Sequence, residues 1–504
     1  MTKHRTNWLC SLGLAVALGS TGCGYEIARF APGSVVRRAE DRRPIPRPVR
    51  RLAHGTLYQL EARTEHHVVQ GMVVSEPELA GDVNRLDEVV ASTWHRGSEA
   101  PATLDDYVDV GPPVPPLVVM DAAPVSADLA GDVVVRDERG EVYDLFFDPP
   151  GYPSSRTVAW PVASRLVHAL GYHCVEVHVT RAPSGRRAVA VRRRSATDLG
   201  PTPMLWTRSD DANDTIERED RRSLRASLLW MKWLDVTQVG PATIRDFFVG
   251  APTAGYVEHR IVDLSAAFGV GRLDESIDRS TDPMRDNPGA GWMLLSLGFA
   301  PDDGPSEIPS AGMGLLGYRA EFRGLDREVS PPFAPHDHAR PDDLYWMARR
   351  MAAVSAPVID RALEAGQLRD VDERNRVWRL LGRRRAALQL VAYSLVTPVR
   401  PRHVRMLRSS TSWSVELALV DDEALLRGPF ERSYEVTVFS RDGEELAQSV
   451  VTTSKKRFGV AVRLAGEPDR VVVLRVTRRR QQGATRPMEI HVDTTTGDVI
   501  GIAR

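Results

Sequence analysis

The spacing of apolar residues changes several times along this chain, and each change predicts a different element. Residues 9–18 are almost wholly apolar, follow Lys3, His4 and Arg5, and end in the small residues 19–22 before Cys23. From 133 to 147 apolar and polar positions form two short runs around Gly140, the signature of a β-hairpin. The spacing then becomes helical over 154–170, where Val162, Leu166 and Leu170 share one face, and Gly171 supplies the stop. Strands follow at 175–179 and 188–191. A long helix is expected from Asp214 to Leu234, opened by a capping box (Asp214-Thr-Ile-Glu217). Leu224, Leu228, Met231 and Leu234 line one of its faces and Leu229, Trp230 and Trp233 another, so its second half should be buried. After a break at Gly240-Pro241, a strand delivers Asp263. Two more helices are expected, 342–364 with a kink at Pro357 and 371–396. From about 400 the period falls to two, with strands at 413–417, 434–438, 460–464, 471–476 and 488–492 and turns at Gly443 and Gly497.

This order predicts an α+β protein: a two-lobed core (120–205 and 206–398) followed by an all-β, sandwich-like domain over 400–504. Residues 23–51, rich in Arg and Pro, read as an extended, solvated tether, and 52–119 as a small β-rich region. Residues 272–310 form a long excursion rich in Asp, Gly and Pro. LAGDV occurs at 79–83 and 129–133, but two short copies in unlike surroundings are not a structural repeat.

Composition narrows the function. In 504 residues, 66 Lys and Arg nearly cancel 67 Asp and Glu, so no global charge draws the chain to nucleic acid. Arg478-Arg479-Arg480 lacks the interleaved aromatics that single strands stack on. The three cysteines, Cys10, Cys23 and Cys174, cannot build a disulfide framework, and Cys174 sits in an apolar run as a small core residue. Residues 1–22 have the form of a secretory signal, too short in their apolar part to span a bilayer. Ser-Thr-Gly-Cys resembles the bacterial lipobox, with Ser20 where a larger aliphatic is usual. It implies acylation of Cys23 and a lipid-anchored envelope protein. His66-His67 have no ligand partner at metal-binding spacing. Pro335-His336-Asp337-His338, with Asp342-Asp343, has the density of a metal site but reads as incidental clustering. No serine elbow, Walker loop, zincin helix or C-x-x-C pair is present, while a glycosidase carboxylate pair has no local spacing to search for.

One stretch carries a family resemblance. DLFFDPPGYPSSRTVAWPVASRLVHALGYHCVEVHV, with its Ala163–Leu166 and Ala169–Tyr172 matches, and RSDDANDTIEREDRRSLR further on resemble an atypical kinase-like family of bacterial envelope proteins, distantly similar to lipid-kinase-like and spore-coat-kinase-like groups. The resemblance covers roughly 133–398 and implies a kinase-like core. It places Phe146 where the family has its ATP-contacting Lys and Trp160 where it has the partner Glu. Trp233-Leu234-Asp235-Val236-Thr237-Gln238 stands where the family has Trp-Leu-Asn-His-x-Asp, and Thr243 at its metal-binding Asn. Asp263 alone stays in register, followed by Leu264-Ser265.

Phosphoryl transfer depends on the Lys–Glu pair, a catalytic Asp and two metal ligands. Gln238 can orient a hydroxyl but cannot take its proton, and a lost general base costs about 10²–10⁴-fold. The sequence therefore reads as a catalytically degenerate, pseudokinase-like lipoprotein that binds a protein partner and needs no cofactor. A divergent phosphotransferase using ATP and a divalent metal, with Asp235 or Asp246 recruited around Asp263, is the alternative. A purely structural envelope protein is a third reading.

Overall fold

A computed structural model of the chain describes residues 41–51, 64, 79–121, 131–194, 197–203, 206–236, 242–272, 333–368, 370–410, 412–480 and 483–504. The fold is α+β, with four antiparallel sheets among the described residues. β1 (Val118–Val119), β2 (Val133–Arg136), β3 (Val142–Phe147), β4 (Val177–Arg181) and β5 (Arg187–Arg192) form the first, in the order β1-β2-β3-β5-β4. The expected hairpin is β2–β3. Helix α1 (Arg156–Ala169) has β3, β4 and β5 on one side and a later helix on the other, so all but its first residue are buried. That is the condition under which a helix can be apolar all round.

Past α1, Gly171 has φ +111°, and an added Cβ would lie 2.4 Å from the ring of His95. Only glycine allows both the left-handed backbone and this approach. His95 is wholly buried between the edges of Tyr172 and Trp346. Its Nε2 donates to the Leu170 carbonyl (3.1 Å), and its Nδ1 accepts from Gly97 N–H (2.9 Å), so the neutral ring uses both nitrogens.

A three-stranded sheet follows, β6 (Asp198–Pro201), β7 (Ile244–Ala251) and β8 (Ala254–Ile261). Residues 41–51, expected to be a solvated tether, dock against it instead. Ile45 is buried and bridges Gly255, Arg51 N–H donates to Leu199 O (2.7 Å), and Asp41 accepts from Thr93 N (2.6 Å). Proline removes donors and stiffens the stretch, but the remaining N–H groups find a sheet edge. The β-rich expectation for 52–119 also changes: described residues 79–119 are irregular chain apart from β1 and isolated bridges.

The long helix expected from Asp214 is likewise corrected. It is a 3₁₀ turn (Arg218–Asp220), α2 (Arg222–Arg225) and α3 (Ser227–Trp233). Asp214 does not cap it; its carboxylate accepts from Arg208 N (2.7 Å) and pairs with Arg218 and Arg221. The start is set by Asp82, which accepts from Arg222 N (2.7 Å), Ser223 N (3.2 Å) and Ser223 Oγ (2.8 Å). A carboxylate distant in sequence thus satisfies the first free amides of the helix.

α4 (Pro341–Ala353), α5 (Ala356–Ala365) and α6 (Val371–Leu395) complete the core. Pro357 begins α5 rather than kinking a continuous helix, as suits a first-turn proline. Asp370 caps α6 by accepting from Glu373 N (2.9 Å). One apolar cluster joins α1, α3–α6, β7 and β8.

The C-terminal residues form nine strands, four more than their period suggested: β9 (Val399–Arg408), β10 (Trp413–Asp421), β11 (Arg432–Ser440), β12 (Glu445–Thr453), β13 (Arg457–Leu464), β14 (Val471–Arg480), β15 (Gly483–Ala484), β16 (Met488–Asp493) and β17 (Val499–Ala503). Short helix α7 (Asp422–Arg427) separates β10 from β11. The sheets, β13-β10-β9 and β12-β11-β14-β16-β17 with β15 on β14, share one core that includes Leu417, Val436, Val460 and Leu474. This region is tied to the helices by Tyr345 of α4, which donates to Asp422 (2.6 Å), and to the irregular segment before β1 by Arg504, which donates to Asp87 (3.0 Å). No helix among the described residues is long and apolar enough to cross a membrane.

The buried histidines make a pH prediction. Burial holds His95 well below its ordinary 6.5 and lowers His168 to about 4, His336 to about 3 and His491 to about 4. Folding favours the neutral ring in each case, so this stability is present above pH 6.5 and is lost as pH falls from 6.5 toward 4. Each group contributes a slope of at most about 1.4 kcal/mol per pH unit. Asp343 opposes them: burial raises it to about 6, so its penalty is relieved on acidification. His173 and His338 are lowered by burial as well, and Asp87, Asp211 and Glu219 are raised by it, so six histidines face four carboxyls and should give a net loss. Urea denaturation at pH 7.5 and pH 5 is expected to show a lower midpoint at pH 5, and an equal or higher midpoint would contradict this burial pattern.

Candidate functional site

The β7–β8 hairpin builds one corner of the core. Its last ladder bond runs from Val262 N to Thr243 O (2.9 Å), so register brings Thr243 and Asp263 to the same open end. Asp263 is half-buried, and its Oδ1 accepts from Ser265 N (2.8 Å), turning the chain into the 3₁₀ stretch Ala267–Arg272. Phe268 N then donates to the Leu234 carbonyl (2.7 Å), which brings the end of α3 to this corner. Asp235, the next residue, has φ +52° and lies 3.8 Å from the Arg384 guanidinium of α6. The hairpin thus sets Thr243 and Asp263 at one end, and the Phe268–Leu234 bond ties the end of α3, next to Asp235, to the segment that follows Asp263. Gln238 lies outside the described residues, as do Cys23 and His66-His67.

Asp246, the other carboxylate expected near Asp263, is committed elsewhere. It is fully buried on β7 and accepts from Thr202 Oγ1, His259 Nδ1 (2.7 Å) and Arg208 Nη1 (2.8 Å). Burial alone would raise its carboxyl, but His259 and Arg208 outweigh it and hold the group far below the usual range. Every partner stabilises the anion, so Asp246 is a poor proton acceptor and acts as an internal tie.

In the first sheet, alternation along β3 turns Tyr143 and Leu145 to one face and Phe146 to the face under α1. Trp160 comes down from α1 to meet it. The rings lie edge to face, 5.0 Å between centroids at 61°, and both are buried. Trp160 Nε1 has no hydrogen-bond partner among the described residues. The contact is apolar cement between sheet and helix.

A cavity beside Thr243, lined also by Trp94, Tyr172, Trp230 and His259, measures about 10 Å³. That is room for about one water, against roughly 300–1,000 Å³ for a small-molecule site.

The dense run near 336–343 is divided between two tasks. His336 meets Ser227 Oγ (2.9 Å) and the edge of Phe333, whereas Asp342 and Asp343 face Arg222 (2.6 and 2.9 Å). Among the described residues no group of three or more His, Cys, Asp or Glu side chains is placed to hold a metal ion. Cys174 is a free thiol that burial pushes up to about 12, which makes it unreactive. Sequence reasoning missed the Arg222 cluster. Its local sign is the alternation of Asp, Glu and Arg over 217–225, which fits no single solvated helix face.

No family model and no curated protein matches the chain. Among solved structures it is similar to the proinflammatory kinase CtkA of Helicobacter pylori, at 10% identity over 56% of this chain and 97% of that one, with a TM-score of 0.34. It is also similar to two structures of a glycosyl hydrolase family 2 member from Bacteroides cellulosilyticus, at 13% identity over 20% and 21% of this chain and a TM-score of 0.16. The chain spans only 15% and 18% of those two. Likeness at these TM-scores fixes neither a fold nor an activity.

Two carboxylates with opposite surroundings should respond differently to removal. Asp246→Ala leaves Arg208 and His259 without their buried anion and is expected to cost about 3–5 kcal/mol. Asp263→Ala loses one local turn bond and should cost about 1 kcal/mol. Urea denaturation of both variants measures this, and equal losses would overturn the distinction.

Proposed function

We propose that this chain is a lipid-anchored envelope protein whose core is a catalytically degenerate kinase-like domain that binds a protein partner. On this reading β1–β5 with α1 are the smaller lobe, and the elements from β6 to α6 are the larger one. The observation that carries the proposal is the Phe146–Trp160 contact. Where the family resemblance calls for a Lys–Glu ion pair facing phosphate, this chain buries two aromatic rings at 5.0 Å. Phosphate charge would find neither a cation nor the carboxylate that orients one.

A second reading, a divergent phosphotransferase using ATP and a divalent metal, is favoured by the placement of Thr243 and Asp263 at one end of the β7–β8 hairpin, to which the end of α3 is hydrogen-bonded. Asp263 would be the metal ligand. A thermal-shift titration of the purified chain with ATP and Mg²⁺ or Mn²⁺ decides between them. No shift is expected. A clear shift that Asp263→Ala abolishes would overturn the degenerate reading.

The anchor is proposed from Cys23 and the apolar run before it, which places the protein on the exported side of a bacterial membrane. Acyl labelling of the expressed protein should be lost in Cys23→Ala, and the share of it in the membrane fraction should fall. Unchanged labelling and fractionation would overturn the anchor.

A further inference from the structure

The sheet β13-β10-β9 turns one face to the shared core and the other outward. Phe458, Val460, Val462 and Leu464 of β13, Val415, Leu417 and Leu419 of β10, and Val404 and Met406 of β9 pack inward. Strand alternation therefore sends Arg457, Gly459, Ala461 and Arg463, then Ser414, Glu416 and Ala418, then His403, Arg405 and Leu407 to the outer face. All four β13 residues, Glu416 and all three β9 residues are exposed. The register sets Gly459 and His403 on either side of Ala418, and Ala461 and Arg405 on either side of Glu416.

The result is a centre of small residues, Gly459, Ala418 and Ala461, beside Glu416, with cations around it. Lys455 and Lys456 lead into β13, and Arg402 lies exposed at the bulge of β9. Among the described residues, Arg402, Arg405, Lys455, Lys456, Arg457 and Arg463 take part in no ion pair, although Glu416 lies opposite Arg405. Six cations against one carboxylate is a local excess that the whole chain, at a formal net charge of −1, does not share. Leu407 adds an apolar side chain, 43% exposed, to the same face.

We infer that this face docks on a membrane surface rich in anionic phospholipid. Three observations choose a bilayer over other polyanions. Gly459, Ala418 and Ala461 raise nothing taller than a methyl group between the cations, the face carries no Phe, Tyr or Trp ring and His403 as its one imidazole, and Leu407 projects beside the cations where headgroups meet acyl chains. Anionic headgroups attract each nearby Lys or Arg by about 1 kcal/mol, about fivefold in partition. The inference uses the envelope reading only to put a membrane within reach. Together, one acyl anchor and a basic face supply the two signals that lasting attachment requires.

The test removes the anchor first. The full chain carrying Cys23→Ala is cosedimented with vesicles of phosphatidylcholine alone and with vesicles containing about a third phosphatidylglycerol. Any binding through the apolar run 9–18 is common to both, so the difference reports the charged face. Stronger binding to the anionic vesicles is expected, and it should vanish in high salt. The triple variant R405Q/R457Q/R463Q should lower the anionic preference about 100-fold, at about fivefold per charge. R405E/R457E/R463E should abolish it. R136E/R379E/R441E, equal in charge but placed elsewhere, should keep it, and the melting curve of each variant reports its folding. Equal binding to both vesicles, or equal loss in the two reversal variants, overturns the inference. So does retention on heparin or nucleic acid without binding to anionic vesicles. Failure of acyl labelling at Cys23 would count against the anchor alone.

Discussion

The guanidinium of Arg222 is the contact on which the fold closes. It is 1% exposed and reaches Asp87 (2.5 Å), Asp342 (2.6 Å) and Asp343 (2.9 Å), while its own backbone N–H is held by Asp82. Four pieces of chain meet there: the irregular segment before β1, the start of α2, the start of α4 and, through the Arg504–Asp87 pair, the last strand. Burying so much charge is costly, and the attraction repays it only while every partner stays in place. The strain is visible in Asp343, which burial and the Asp342 charge hold up near 6 despite the guanidinium. Apolar residues of equal volume could pack as well. They could not specify, as a five-donor fork does, which segments arrive and in what orientation.

That arrangement governs what the rest of the polar core can do. Arg208, Arg218, Arg221 and Arg225 are also buried, and each is paired with a carboxylate of its own neighbourhood. Asp214 and Asp246 are consumed in this lattice, so both carboxylates serve as internal ties. Asp263 escapes it. It stands half-open just past the end of β8, and among the described residues its hydrogen bond is the turn to Ser265. The contrast between Asp246 and Asp263 is one of partners rather than residue type, which is why composition could not separate them.

Elements whose pattern is local were legible in the sequence. The β2–β3 hairpin, α1 and its glycine stop, α6 and five C-terminal strands follow from apolar spacing alone. What was not legible depends on partners far along the chain. The helix expected from Asp214 begins instead at Arg222, because Asp82 caps it there and Asp214 is drawn to Arg218 and Arg221. Residues 41–51 carry every compositional mark of a tether, yet Gly200, at φ +92°, leaves room for the Arg51 carbonyl against β6. β9 and β12 were missed because their polar residues lie on both faces. Of the candidate site, the corner of Thr243 and Asp263 was legible through family resemblance, and the commitment of Asp246 was not. Its partners Thr202, Arg208 and His259 come from three separate segments.

The same accounting of partners gives the near-neutral net charge a different meaning. A chain with 66 cations and 67 anions need not be neutral anywhere in particular. Where Arg and Asp are buried together, neutrality is enforced locally, because an unpaired buried charge costs several kcal/mol. On the surface nothing enforces it, since an exposed charge is already solvated and an exposed pair is worth about 0–1 kcal/mol. The cations of the β13-β10-β9 face are under no such constraint from folding. Fold stability therefore neither requires nor forbids their clustering around the small residues Gly459, Ala418 and Ala461.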